Sequence, residues 1–245
     1  MFQIFTTIFY QPLFNLLVWL YNLTGSNIAI AIILLTVIIK LVLYPFSKQS
    51  LKSQKALQDI QPKINELKTK YKDDKEKMTK EMMALYKQEK VNPFSSCLPL
   101  LIQLPFLFAV FQVFRKGLNS DGFNLLYPFV ANPGHIDPFI FSYDLSHPIW
   151  IFGVLAGAAQ YWQTKMLMHK KAAIKSEGAK DENMAAAMNK QMLYFMPVLT
   201  VVFGFSLPGG LMLYWFINTV LTIAQQYLMF GGKKEVINPS NAPTN

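Results

Sequence analysis

Lys40 stands in an otherwise uncharged apolar run over residues 28–46, and Thr36, four positions earlier, shares its helical face. A cation in such a run costs ~2.5–3.5 kcal/mol to insert at a helix centre, and its chemistry is to attract acidic or polar groups. Later apolar runs carry hydrogen-bonding side chains: Gln103 and Gln112, Gln160 and Gln163, then Asn218, Thr219 and Thr222. None of these runs contains an Asp or Glu, so Lys40 has no carboxylate of its own chain at that depth. An unpaired cation is tolerated where water reaches it, which predicts a hydrated groove rather than a dry ion pair. The competing reading is snorkelling, with the lysine stem carrying its ammonium toward the near interface past Tyr44, Pro45 and Phe46.

Covalent and metal chemistry find no matching constellation. The single Cys97 excludes an internal disulfide framework and a multi-cysteine metal site, and His135, His147 and His169 lack metal-ligand spacing. Gly204-Phe205-Ser206 offers a small-x-Ser fragment, as in an intramembrane serine protease, but those histidines fall in loops and leave the serine without a base. No enzymatic activity, cofactor or metal is expected.

The elements that must position these groups follow from the charge pattern. Only 15% of the 245 residues are charged, against roughly 25% in ordinary soluble proteins. Residues 1–39, 91–114, 145–164 and 191–232 hold no Asp, Glu, Lys or Arg, which a soluble surface does not allow and a bilayer requires. Apolar stretches at 28–46, 94–114, 148–166, 192–207 and 211–229 predict five membrane spans, the last two joined by a tight turn at Pro208, Gly209 and Gly210. Pro93, Pro99, Pro105 and Pro197 predict kinks that keep the bundle from closing tightly. Twelve Lys lie between residues 47 and 92, two basic residues between 115 and 147, six between 165 and 190, and two in the tail. The positive-inside rule therefore puts the N-terminus outside and the C-terminus in the cytoplasm. The net charge of +9 is thereby explained first as topology.

The predicted class is all-α: a polytopic protein of five transmembrane helices with a cytoplasmic helical hairpin and an N-terminal interfacial helix. Residues 1–27 form that interfacial helix on the extracytoplasmic side, with Pro12 opposing an uninterrupted extra span. Residues 28–46 are the first span, 47–92 the hairpin, 93–230 the remaining spans with their loops, and 231–245 a flexible cytoplasmic tail. A positive n-region and a small-residue cleavage site are missing, so cleavage of the N-terminal segment is not expected. In the hairpin, Leu57, Ile60, Ile64, Leu67 and Tyr71 step by three and four, Met78, Met82 and Leu85 continue the period, and Asp73 with Glu76 has capping-box spacing. Its apolar stripes are expected to pack on each other. Its twelve Lys against seven acidic residues leave a net +5, which topology and anionic lipid account for, with ribosomal RNA as a further candidate partner. On the residues alone, a small solute transporter or channel is a rival reading of the polar groups, opposed by the odd span count and the lack of internal repeats.

Beyond composition, the chain resembles the YidC family of membrane protein insertases, with its mitochondrial and chloroplast relatives. The resemblance is carried by Ile33 to Thr36 with Lys40 and Pro45 beyond, by Gln61-Pro62-Lys63-Ile64, by Asn92-Pro93, and by Cys97-Leu98-Pro99 with Ile102-Gln103 and Pro105. It continues through Pro208, Gly210-Leu211, Leu213-Tyr214-Trp215, Asn218 and Gln225-Gln226. It implies a plasma (inner) membrane insertase with five core helices around a hydrophilic groove open to cytoplasm and lipid. In that family an intramembrane Arg attracts hydrophilic segments of nascent membrane proteins, and apolar helices slide along the first and fifth spans into lipid. Lys40 occupies the Arg position, and Thr36 and Trp215 match positions lining the substrate path. The expected groove residues are Lys40, Thr36, Gln103, Gln160, Gln163, Trp215 and Asn218. Nascent membrane proteins, membrane lipids, the ribosome and the Sec translocon are the implied partners. Three departures stand out: lysine lacks the planar fork of Arg, no large extracytoplasmic domain or lipid-modified cysteine precedes the first span, and the tail carries only Lys233 and Lys234.

Overall fold

Asn27 and Pro45 bracket the first long apolar helix, and their chemistry sets the geometry around Lys40. The computed structural model describes residues 2–92, 98–114, 120–167 and 191–230. Cys97, Arg115, Lys116, most of the basic connection after Lys165 and the tail 231–245 lie outside the described residues.

The chain is mostly helical. Phe2–Phe5, Thr6–Tyr10 and Gln11–Leu23 run together as α1, the middle segment a π-helix. Pro12 does not interrupt it: the wide turn, in which the Gln11 N–H reaches the Thr6 carbonyl, relieves the clash a proline ring makes with a tighter helix. Gly25 and Ser26, both left-handed, turn the chain, and the Asn27 side chain caps α2 (Ile28–Val42) by accepting the Ile30 N–H at 3.1 Å.

Helix α2 stops sooner than its apolar run. The Leu43 N–H bonds back to the Ile39 carbonyl, Pro45 brings no N–H, and a new helix, α3 (Tyr44–Asp59), leaves at 71°. Two expectations are corrected. Residues 44–46, expected in the first span, belong to the helix that continues through Ser47, and Lys40, expected within that span, sits in the last turn of α2. There the negative end of the helix dipole favours its charge.

Helices α4 (Gln61–Lys70) and α5 (Lys75–Gln88) form the hydrophilic pair. Ile60, Ile64 and Leu85 make a small buried cluster flanked by Leu57, Leu67, Met82 and Tyr86, and Lys63 bonds Glu89 at 2.6 Å. The expected capping box shifts by one residue. Asp74, whose backbone is non-helical, accepts the Lys77 N–H at 2.9 Å, so the third helical residue is a lysine and no reciprocal carboxylate closes the box.

The rest comprises α6 (Leu98–Gln112, Pro105 inside), α7 (Trp150–Leu167), α8 (a π-helical Gln191–Phe195 continuing as Met196–Phe203) and α9 (Gly209–Phe230). A two-stranded hairpin, β1 (Phe139–Ile140) with β2 (Tyr143–Asp144), lies between α6 and α7. Gly209 and Gly210 are the first helical residues of α9 rather than a turn, their N–H groups bonding the His147 and Leu145 carbonyls at 2.8 and 2.9 Å. Helix α9 packs chiefly on α7 and α2, and α7 on α8. The α7–α8 contact uses small residues: Gly153 and Gly157, one turn apart, let the backbones of Gly204 and Pro197 approach closely. The main core joins Phe14, Leu17 and Val18 of α1, Ile28, Ile32 and Leu35 of α2, Val110 and Val113, and Leu211 and Tyr214 of α9.

By length and apolarity one helix, Gln3–Leu23, suffices to cross a bilayer, and the bent pair Ile28–Val42 with Tyr44–Asp59 makes a second only if counted as one span. The other runs fall short for identifiable reasons. The 15 residues of α2 rise about 22 Å at ~1.5 Å each, Gln103–Gln112 and Leu193–Phe203 are shorter still, and α7 and α9 are diluted by Gln, Asn and Thr.

Candidate functional site

Several polar side chains of the helices meet along one face of α9. Tyr214, Asn218, Thr222 and Gln225 step by four, four and three, and three other elements send partners to that stripe. From α2, the Lys40 Nζ donates to the Thr222 Oγ1 at 2.6 Å. The Thr222 hydroxyl in turn donates to the Asn218 carbonyl at 2.7 Å, so one hydroxyl uses its lone pair for the ammonium and its proton for the helix backbone. From α6, the Gln103 carboxamide donates to the Tyr214 hydroxyl. From α3, the Ser47 hydroxyl donates to Gln225 Oε1 at 2.7 Å.

Lys40 is half-buried, and among the described residues no carboxylate lies within ion-pair distance of it. Its partner is a neutral hydroxyl across the helix interface. The ammonium is thus drawn onto α9, and Thr222 is its hydrogen-bond partner among the described residues. The Lys40 and Ser47 bonds flank the Leu43 break, one on each arm of the 71° bend.

Around that bend the hydrogen-bonding capacity is not filled. Ser50 Oγ, Gln225 Nε2 and both polar atoms of Gln226 are buried without a partner among the described residues. Each such atom is unfavourable by about 1–3 kcal/mol unless water or a polar guest reaches it. A narrow crevice between α1, α2 and α6, lined by Leu13, Ile32, Leu35 and Val113 among others, is wholly apolar and distinct from the polar stripe.

The predicted residues separate into groups. Lys40 reaches Thr222, whose hydroxyl bonds the backbone carbonyl of Asn218 one turn earlier, and Gln103 reaches the same helix one turn beyond Asn218. Thr36 does not join them: it is buried, with its hydroxyl turned back to the Ile32 carbonyl at 2.7 Å. Gln160 is engaged elsewhere, accepting the Thr200 hydroxyl between α7 and α8. Gln163 is half-buried on α7, and the half-buried Trp215 ring lies 6.4 Å from Phe203. Ser47, Ser50, Gln225 and Gln226 were not among the predicted groove residues, because Ser47 and Ser50 follow the apparent end of the first span. The signal was present in the three-residue spacing of Ser47 and Ser50 directly after Pro45, which puts both on one face of a new helix.

Residues 19–235 match the model of a protein family described as 60Kd inner membrane protein. Relatives named membrane protein insertase YidC include one from Fusobacterium nucleatum, 34% identical over 223 residues that make 90% of this chain and 96% of the relative. The relative from Syntrophobacter fumaroxidans is 36% identical over 89% of this chain, and the one from Geobacter sulfurreducens 37% identical over 89%. The chain spans only 37% and 36% of the length of those two.

Proposed function

The chain belongs to the 60Kd inner membrane protein family, in which the relatives above are membrane protein insertases named YidC, and from that premise we propose that it moves short hydrophilic segments of nascent proteins into or across the membrane and releases their apolar helices into lipid. The observation that carries this reading is Lys40: a cation with no carboxylate in ion-pair distance among the described residues, held by Thr222 on the polar stripe of α9 beside buried polar atoms.

In this reading α2 and α6 to α9 are the five membrane-embedded elements, short helices thinning or wetting the bilayer locally, and α4 with α5 lies on the cytoplasmic side with the C-terminus. The basic residues concentrated between 47 and 92 support that orientation. A polar segment entering bare hydrocarbon leaves backbone groups unsatisfied at several kcal/mol each. The Lys40 ammonium, the Gln225 Nε2 and the Gln226 carboxamide supply replacement hydrogen bonds partway across, and the client's apolar helix then partitions to lipid at about 25 cal/mol per Å². The process requires no covalent step.

Two measurements test it. Photocrosslinkers at Gln103, Gln163 and Trp215 are expected to capture a stalled nascent membrane protein, whereas one at Phe129, far from the stripe in sequence and exposed, is not; the reverse pattern counts against the groove. Thr222→Val removes the acceptor for the ammonium, and insertion of a client with an acidic translocated segment is expected to fall by about tenfold, the lower end of what a hydrogen bond to a charged group, about 1.5–3 kcal/mol, is worth. Thr222→Ser keeps the hydroxyl and is expected to keep the activity.

A further inference from the structure

Pairing of Ile140 with Tyr143 leaves Phe141 and Ser142 as a two-residue turn between β1 and β2. Such turns need left-handed backbone at their first position and normally take Gly, Asn or Asp there. Here a phenylalanine does so, with φ at 53° and its side chain 97% exposed. Neither property helps the hairpin fold: glycine would relieve the strain, and the exposed ring buries nothing. Phe139 and Tyr143 beside it are 53% and 49% exposed, and Phe129 is 79% exposed.

The hairpin is rigidly mounted. The Asp137 N–H bonds the Tyr21 hydroxyl of α1 at 2.9 Å, the Leu145 N–H bonds the Pro138 carbonyl at 3.0 Å, and the Leu145 and His147 carbonyls receive the first N–H groups of α9. Ile136 and Leu145 are fully buried. These bonds hold the tip at the end of the bundle where α1 ends and α7 and α9 begin, and where Trp19 and Trp150 are also exposed.

The tip is also uncharged. No Lys or Arg occurs between residues 117 and 164, and the two nearby carboxylates are spent on the hairpin's own base. Asp137 accepts the Phe139 N–H at 3.0 Å, and Asp144 accepts the Ser146 N–H at 2.8 Å and contacts His147 Nδ1 at 2.9 Å. Burial by itself would raise the Asp144 carboxyl, but the bonds from Ser146 and His147 outweigh it and hold it below the ordinary carboxylate range. An uncharged, rigid aromatic tip level with helix ends that enter lipid suits the headgroup boundary, where aromatic rings concentrate. It is poorly suited to a basic or acidic protein partner.

We propose that the β1–β2 hairpin is a membrane-seating wedge, with Phe141, flanked by Phe139 and Tyr143, inserted into the lipid–water interface of the leaflet at that end of the bundle. The rigid mount then transmits the wedge's depth to α1, α7 and α9 and so fixes how far the polar stripe lies from that interface.

The test uses the full chain with Cys97→Ser and a spin label at Ser142→Cys, reconstituted in vesicles of phosphatidylcholine and phosphatidylglycerol. Collisions with oxygen, which concentrates in lipid, are expected to exceed collisions with a water-soluble nickel chelate by about threefold, as befits the interfacial belt. Adding Phe141→Gly is expected to leave thermal stability in detergent unchanged or higher while moving the label into water, reversing that ratio. A label that meets mainly the aqueous reagent with Phe141 present, or a ratio that Phe141→Gly does not move, overturns the wedge. Spin–spin broadening that grows with the protein-to-lipid ratio would reassign the tip to contact with a second copy and also overturns it.

Discussion

Lys40→Ala is expected to lower insertion of a client with an acidic translocated segment by about 10- to 100-fold in reconstituted liposomes, while Lys40→Arg retains most of it. The magnitude follows from Coulomb's law: at ~6 Å and an effective dielectric of ~20, a carboxylate and an ammonium attract by about 3 kcal/mol. The effect depends on the client's charge, so a client whose translocated segment is neutral is expected to lose little. The fold survives the substitution because Thr222 keeps its bond to the Asn218 carbonyl when the ammonium is gone. Arginine restores the charge and adds a planar donor fork, and is expected to match or exceed lysine for carboxylate-bearing clients. Protease protection of the translocated segment is the readout, with detergent melting as the control for folding. Equal insertion by Lys40→Ala and the parent chain would remove the cation from the mechanism.

Gly204→Ala is expected to destabilise the protein by about 1–3 kcal/mol, the usual range for forcing a methyl into a close-packed interface. A Cβ at Gly204 would lie 2.5 Å from the Gly153 Cα, and one at Gly153 would lie 2.7 Å from the Gly204 Cα. Because the obstacle on each side is backbone, no side chain can rotate away. Relief requires α7 and α8 to separate, which also stretches the bond between Gln160 and Thr200. Gly153→Ala is expected to behave alike, and the double variant to lose less than the sum, since both methyls force open the same gap. Gly210→Ala meets the Phe114 ring instead, and a ring can shift, so its penalty is expected to be smaller. Thermal melting in detergent checks all four; neutral effects at both Gly153 and Gly204 would mean that these helices do not touch there.

Much of the candidate site was legible because polar residues in apolar surroundings are rare enough to point at themselves. Lys40, Gln103, Asn218 and Thr222 stand out on composition alone, and the four-residue spacing of Asn218 and Thr222 puts them on one face. Spacing reports which face a side chain occupies but not whether its hydroxyl turns back to its own helix, as Thr36 does toward Ile32. Apolar patterning carried the first span to Phe46, four residues past the end of α2, since Leu43, Tyr44, Pro45 and Phe46 are as apolar as a span requires, and only backbone hydrogen bonding at Leu43 shows that the direction changes. The small-residue seam between α7 and α8 was missed for a related reason: Gly153 and Gly157 were visible, but nothing in a linear pattern says that Gly204 faces them.

The linear chain by itself determined the helical class, the membrane-compatible charge pattern, the family and the presence of a cation in an apolar run that holds no carboxylate, because each of these depends on composition, on periodicity along one helix or on residue order. Only the tertiary structure decided that the ammonium rests on Thr222, that the first apolar run breaks at Leu43, and that Ser50, Gln225 and Gln226 are buried with capacity to spare. Those are contacts between segments up to 182 residues apart, and helical periodicity carries no information about which partner stands opposite a given face.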